Sequence, residues 1–265
     1  MVNIMFQDIR YFVTQIKYNL KNAYALQRSF WVGIITMILN NLTFFIIWLL
    51  FMNATGPING WTSLDVFGMI GVSVFIYGIA NSFFRGIVEL PQSVVKGTFD
   101  GILLSPANTF LKLGGASFSV TAYGDLIQGF VVTVAYVIFK SFSAYQCLLY
   151  LFAIILGSIV FVCVRLLCSL VVFYIHDGET VSEQIFEIFL RPGLYPGAIF
   201  PSKIKAFFMT VVPALLISAA PIDMLKSNSV SLIYLSLFVT VIWVLISYIA
   251  FAQAIRKYES GNYLR

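Results

Sequence analysis

The sequence predicts an all-α integral membrane protein with six transmembrane helices, and three observations carry that prediction. The chain of 265 residues is 60% hydrophobic and only 10% charged. Soluble domains carry about 25% charged residues, and no soluble fold of this length hides so much apolar surface. The apolar runs are long and continuous, unlike the alternating segments of about ten residues in a β-barrel. Lys and Arg gather in alternate connections. No polar stretch is long enough to build a separate soluble core. One transmembrane domain is therefore expected over residues 30–251, after an amphipathic segment (1–29) and before a tail (252–265).

Within the first segment Phe6, Ile9, Val13, Ile16, Leu20 and Ala23 recur at spacing three and four, with Asp8, Arg10, Lys17 and Lys21 between them. That pattern predicts a helix lying at a membrane surface. Residues 1–29 contain no apolar run of signal-peptide length. Span one is expected at Phe30–Phe51, entered past Trp31, a residue that favours the interface. A turn follows at 53–60, then span two at Val66–Phe84, whose Gly68, Gly71 and Gly78 permit close helix contact. A connecting loop (85–115), span three (Ala116–Phe139) and span four (Leu148–Tyr174) come next. Residues 175–203 read as a second polar loop on the same side, with Asp177, Glu179, Glu183 and Glu187 on a surface helix and Thr180 and Glu183 at capping-box spacing. Span five is expected at Ile204–Ala220, broken by Pro213, and span six at Val230–Phe251.

Six spans put both termini on one side. With that side cytoplasmic, thirteen of the 16 Lys and Arg lie inside, Lys140 and Lys226 lie outside, and Arg165 falls within a span. The positive-inside rule selects this orientation.

The first cytoplasmic loop holds Gly97-Thr98-Phe99-Asp100, then Leu103-Leu104 and Pro106. Pro91 suits a first helical turn. Gly97 ends that turn, Thr98 is a good N-cap, and Asp100 falls where the helix dipole favours a negative charge. Pro106 stops the element. These residues resemble the Gly-Thr-apolar-acidic, Leu-Leu and Pro signature of type-2 ATP-binding-cassette (ABC-2) exporter permeases. Gly124, Asp125, Gln128 and Gly129 in span three, Tyr195-Pro196 before span five, and the basic ending around Arg256-Lys257-Tyr258 are similar to one branch of that family. Gly101 departs from the bulkier residue common at its position.

The resemblance implies a coupling helix that docks on an ATPase subunit through Glu89, Lys96, Gly97, Thr98, Phe99, Asp100, Leu103 and Pro106. It implies a permease half that exports an apolar or amphipathic cargo (a drug-like molecule, lipid or peptide) by alternating access. An ABC ATPase dimer holding ATP and Mg would drive it, and a second or homologous permease would complete it in the plasma membrane of a bacterium, with lipid as its surroundings. Spans one, two and five would line the route, with Met69, Phe75, Tyr77 and Phe208 as lining residues. An ion-coupled secondary transporter and a non-transporting structural subunit are the alternatives.

The residues also exclude several chemistries. The chain has no phosphate-binding Gly-rich loop ending in Lys-Ser or Lys-Thr, so ATP chemistry belongs to a partner. One His, His176, and scattered Cys147, Cys163 and Cys168 make neither a metal site nor a disulfide framework, and no catalytic constellation is expected. Nothing points to nucleic acid. Two charges fall inside spans, Asp125 in span three and Arg165 in span four. At about 2.5–3.5 kcal/mol for each lone intramembrane charge, these two are expected to pair across consecutive antiparallel helices.

Overall fold

The computed structural model describes residues 2–25, 27–104, 108–175, 177–227 and 229–258, with side chains from Phe6 onward. Pro106, His176 and the tail from Glu259 lie outside the described residues. The described chain is helical apart from one isolated bridge, Ile58 to Trp61. Helix α1 (Val2–Ala25) leads into α2 (Gln27–Thr55). Then come α3 (Ser63–Phe83), four short helices α4 (Arg85–Val88), α5 (Leu90–Val95), α6 (Phe99–Leu103) and α7 (Thr109–Gly114), and the long α8 (Val120–Lys140) and α9 (Ala144–Ser169). The second half holds α10 (Gly178–Leu190), α11 (Ser202–Thr210), α12 (Ala214–Ile217), α13 (Ala219–Ser227) and α14 (Val230–Lys257). Five helices, α2, α3, α8, α9 with its 3-10 extension, and α14, are long and apolar enough to cross a membrane.

Local chemistry sets the long helices. Thr62 and Asp65 form a reciprocal capping box at the start of α3, and Ser143 and Gln146 do the same for α9. Helix α8 ends at Ser141, which takes a left-handed conformation (φ 53°). Helix α3 sits centrally, packed on α2, α8 and α9. Its contact with α8 is glycine-mediated. A methyl group at Gly78 would lie 2.4 Å from the Leu126 nitrogen, and one at Gly129 would lie 2.3 Å from the Phe75 nitrogen. Backbones approach this closely only where side chains are absent.

Two ends of the bundle are distinguishable. A basic end gathers α4–α7 and the C-terminus of α14, with Arg85, Lys96, Lys112, Arg256 and Lys257. At the far end Asp65, 1% exposed, receives Lys140 (3.0 Å), Lys226 (2.9 Å) and the Tyr136 hydroxyl (2.9 Å). These partners bring α8 and α13 to the head of α3.

The expected span five is broken at Pro213 as anticipated, but it does not cross the bundle. Residues 204–220 do not form one span. Pro213 contributes no N–H and breaks the segment into α11 and α12. Thr210 accepts a bond from Trp243 Nε1, halfway along α14 (3.2 Å), and Lys226 returns to the Gly60 carbonyl (2.7 Å). The three helices α11–α13 thus make a hairpin that enters from the far end and turns near mid-depth.

Residues 178–199, expected as a surface loop, run between the two ends instead. Glu179 accepts from Gln92 of α5 (2.9 Å), Phe189 packs on Trp243 (6.0 Å), Tyr195 packs on Trp48 (6.1 Å), and the Ala198 carbonyl meets Asn59 (2.8 Å). Helix α10 extends about 20 Å, and the 3-10 turns Arg191–Leu194 and Gly197–Ile199 complete the path. The anticipated Thr180 capping box is absent. The N-cap of α10 is Asp177, without a side-chain bond, and Glu183 is drawn away to Arg165.

Candidate functional site: a central cavity and an exposed apex

An open cavity of about 450 Å³ lies between α2, α3, α10 with its 3-10 turn, and α12. Met37, Asn40, Asn41 and Phe44 of α2 face Met69, Ser73 and Tyr77 of α3. Leu190, Gly193, Ala214 and Ser218 close the opposite wall. Such a volume falls in the usual range for small-molecule sites. Two of the four predicted lining residues, Met69 and Tyr77, are brought together here. Phe75 packs instead on Phe130 (5.8 Å) and covers Gly129, and Phe208 packs between Phe200 and Phe207.

One polar cluster forms part of the wall. Asn41 spends both amide hydrogens on neighbours in α8, donating to Asp125 Oδ1 at 2.7 Å and Gln128 Oε1 at 3.0 Å. Gln128 donates to the Ile38 carbonyl (3.4 Å). Asp125 and Gln128 are three apart, so one face of α8 presents both to α2. The expected pairing of Asp125 with Arg165 does not form. Helix α3 lies between α8 and α9, so these consecutive helices are not neighbours at that level. Arg165 instead pairs with Glu183 of α10, touches the Val88 carbonyl (3.4 Å) and stacks over Phe186 (4.6 Å). Sequence reasoning missed Asn40 and Asn41. Their signal was available, since two consecutive amides at the centre of an apolar span need partners.

A second crevice of about 650 Å³ runs along α9, α14 and α7, lined by Phe110, Val162, Leu166, Val244, Tyr248 and Phe251 among others. It is larger, but no charged side chain among the described residues lines it.

The basic end carries the other candidate surface. The segment around Gly97 is two short helices, α5 before it and α6 after it, as the sequence suggests, with α6 only five residues long. Gly97 turns between them with φ 70°. Thr98 does not cap α6; its hydroxyl donates back to the Ser93 carbonyl (3.3 Å). Of the eight residues expected to face an ATPase, Lys96, Gly97 and Thr98 are exposed. Glu89 is half-buried against Arg85 (3.0 Å), and Leu103 is half-buried. Phe99 is fully buried against Phe173 (5.8 Å) and Tyr258 (5.2 Å), because its ring completes the cluster where α9, α14 and α6 meet. Asp100 accepts from the Tyr258 hydroxyl (2.8 Å), and Lys112 donates to the Gly101 carbonyl (2.6 Å). Val95 and Leu104, the latter 86% exposed, add apolar surface to the apex.

Comparison with curated proteins yields no match. A family model described as ABC-2 family transporter protein matches residues 37–261. That stretch takes in the cavity, the apex and the hairpin. Together with the all-helical membrane architecture it identifies the chain as a member of the ABC-2 transporter family, the membrane permease subunit of an ABC transporter.

Proposed function

We propose that this permease is half of an exporter that moves an apolar or amphipathic cargo outward by alternating access, driven by ATP and Mg held on a separate ABC ATPase dimer. The observation that carries this reading is the apex from Val95 to Leu104. It offers exposed Lys96, Gly97, Thr98 and Leu104 to a partner, and Phe99 and Asp100 tie it to the ends of α9 and α14. Force on the apex therefore acts on two long helices at once. A charge-assisted bond such as Tyr258 to Asp100 contributes about 1.5–3 kcal/mol to this linkage. Alternating access needs two states that the nucleotide biases, and a second copy or a homologous permease would complete the pathway.

The remaining features accord with a multi-pass protein of a bacterial plasma membrane with both termini inside. On α1, Phe6 (64% exposed), Ile9, Val13 and Leu20 show the apolar face that a lipid surface would cover. Taking Arg191, Lys203 and Lys205 off the side of the termini still leaves ten of the 16 Lys and Arg there.

The test is Leu104→Glu, which adds charge at an exposed position and spares the core. Copurification of the ATPase and substrate-stimulated ATP hydrolysis should fall by about tenfold, with membrane insertion unchanged. Wild-type coupling would place the contact elsewhere. A second reading, ion-coupled secondary transport, gains support from Asp125, an intramembrane carboxylate without a cationic partner among the described residues. It requires transport that follows a proton gradient and persists without ATP.

A further inference from the structure

We propose that Asp125 is a recognition carboxylate for a positively charged group on an otherwise apolar cargo, so that the cavity selects lipophilic cations. This rests on the export reading and adds a substrate class to it. Among the described residues Asp125 is the one charged side chain lining the cavity. It is 2% exposed, and none of the five ion pairs of the described residues includes it. Arg165, the other charge expected inside a span, is committed to Glu183 and Phe186. Asn41 supplies a single hydrogen bond, to one carboxylate oxygen. An ionised carboxylate in that setting is under-compensated, and a cation in the cavity completes it.

The surroundings suit such a ligand. Tyr77 and Phe161 stand edge to face at 5.5 Å and both line the cavity, giving it an aromatic wall. Met37, Phe44, Ile47, Met69 and Leu190 provide apolar wall for the rest of the molecule. The carboxylate is also held in place. A methyl group at Gly124 would lie 2.9 Å from the Ile34 carbonyl oxygen, and the neighbouring Leu126 backbone is pressed on Gly78. Helix α8 therefore has little room to withdraw Asp125, which makes the site preorganised.

Two permeant ions of nearly equal size and opposite charge, tetraphenylphosphonium and tetraphenylborate, test the proposal. The full chain, copurified with its ATPase, is placed in nanodiscs of neutral lipid, and saturable binding of each ion is measured. The wild type should hold the phosphonium at least about tenfold tighter than the borate, a preference of about 1.4 kcal/mol. Asp125→Asn, which retains an acceptor for Asn41, should erase that preference. Asn40→Lys, at an exposed wall position, should also cancel it by giving Asp125 a fixed cation, and it serves where Asp125→Asn does not assemble. Equal binding of the two ions, or a preference indifferent to both substitutions, overturns the proposal. Stimulation of ATP hydrolysis by the same ions separates the two readings. Asp125-dependent binding without any effect of nucleotide on transport keeps the site and removes the export reading. ATP-driven export of a neutral dye with no charge preference at Asp125 does the opposite.

Discussion

Arg165 shows how a single buried charge reorganises its surroundings. Its side chain is 4% exposed, yet its partner Glu183 is 57% exposed, so the pair straddles the surface of the bundle. Arg165 Nε and Nη1 have no hydrogen-bond partner among the described protein groups. Removing Glu183 strands the guanidinium. A fully buried pair broken this way costs 3–5 kcal/mol. Because the carboxylate is more than half wet, screening reduces the figure, and Glu183→Ala should destabilise by about 2 kcal/mol. Replacing both residues, Arg165→Leu with Glu183→Leu, should recover most of that loss. Thermal unfolding in nanodiscs, with Arg165→Leu and Glu183→Leu measured singly as well, checks this, and strictly additive losses would show that the two side chains do not interact.

At the scale of elements, the contact between α3 and α8 is the most demanding in the fold. The sequence made part of it legible: Gly68, Gly71 and Gly78 mark a helix that a neighbour approaches closely. It did not reveal which neighbour, since small residues on one helix do not name the helix that fits them. Gly129 supplies the matching gap on α8, where any side chain would meet the Phe75 backbone rather than a movable group. Gly129→Ala should therefore cost about 1–3 kcal/mol by forcing the helices apart. It should also loosen Asp125 and Gln128, which precede Gly129 on the same helix. An unfolding midpoint equal to wild type would show that the helices slide without penalty. The apex taught a different lesson. Gly97 as a turn was legible because only glycine takes positive φ easily. The burial of Phe99 was not, because it depends on Phe173 and Tyr258, 74 and 159 residues away in the chain.

For the whole molecule, composition and apolar run length were enough to specify a helical membrane bundle, and five long helices follow them closely. The sixth traverse escaped because hydropathy weighs side chains and not their partners. Residues 178–199 look polar, yet Glu183 is compensated by Arg165 and Glu179 is bonded to Gln92, while Ser182 and Phe186 are buried. Residues 204–220 look apolar, and their break at Pro213 was legible, but not the salt bridge from Lys205 to Asp223 (2.7 Å) that pins the two legs of the hairpin together. The two arrangements predict different sidedness, which makes them separable. A loop at 175–203 would put Lys203 on the side of Lys96; the hairpin puts it on the side of Lys226. Cysteine introduced at Lys203 in a chain whose native Cys147, Cys163 and Cys168 are replaced by Ser should react with a membrane-impermeant maleimide in intact cells, as should one at Asn59. Cysteine at Lys96 should react only after permeabilisation. Labelling of the Lys203 position together with the Lys96 position would restore the surface loop, and with it a span at 204–220. Labelling with Asn59 instead makes the acidic helix α10 part of the membrane domain, so that the wall of the cavity opposite Asn41 and Met69 is built from residues 190–194 and 214–218.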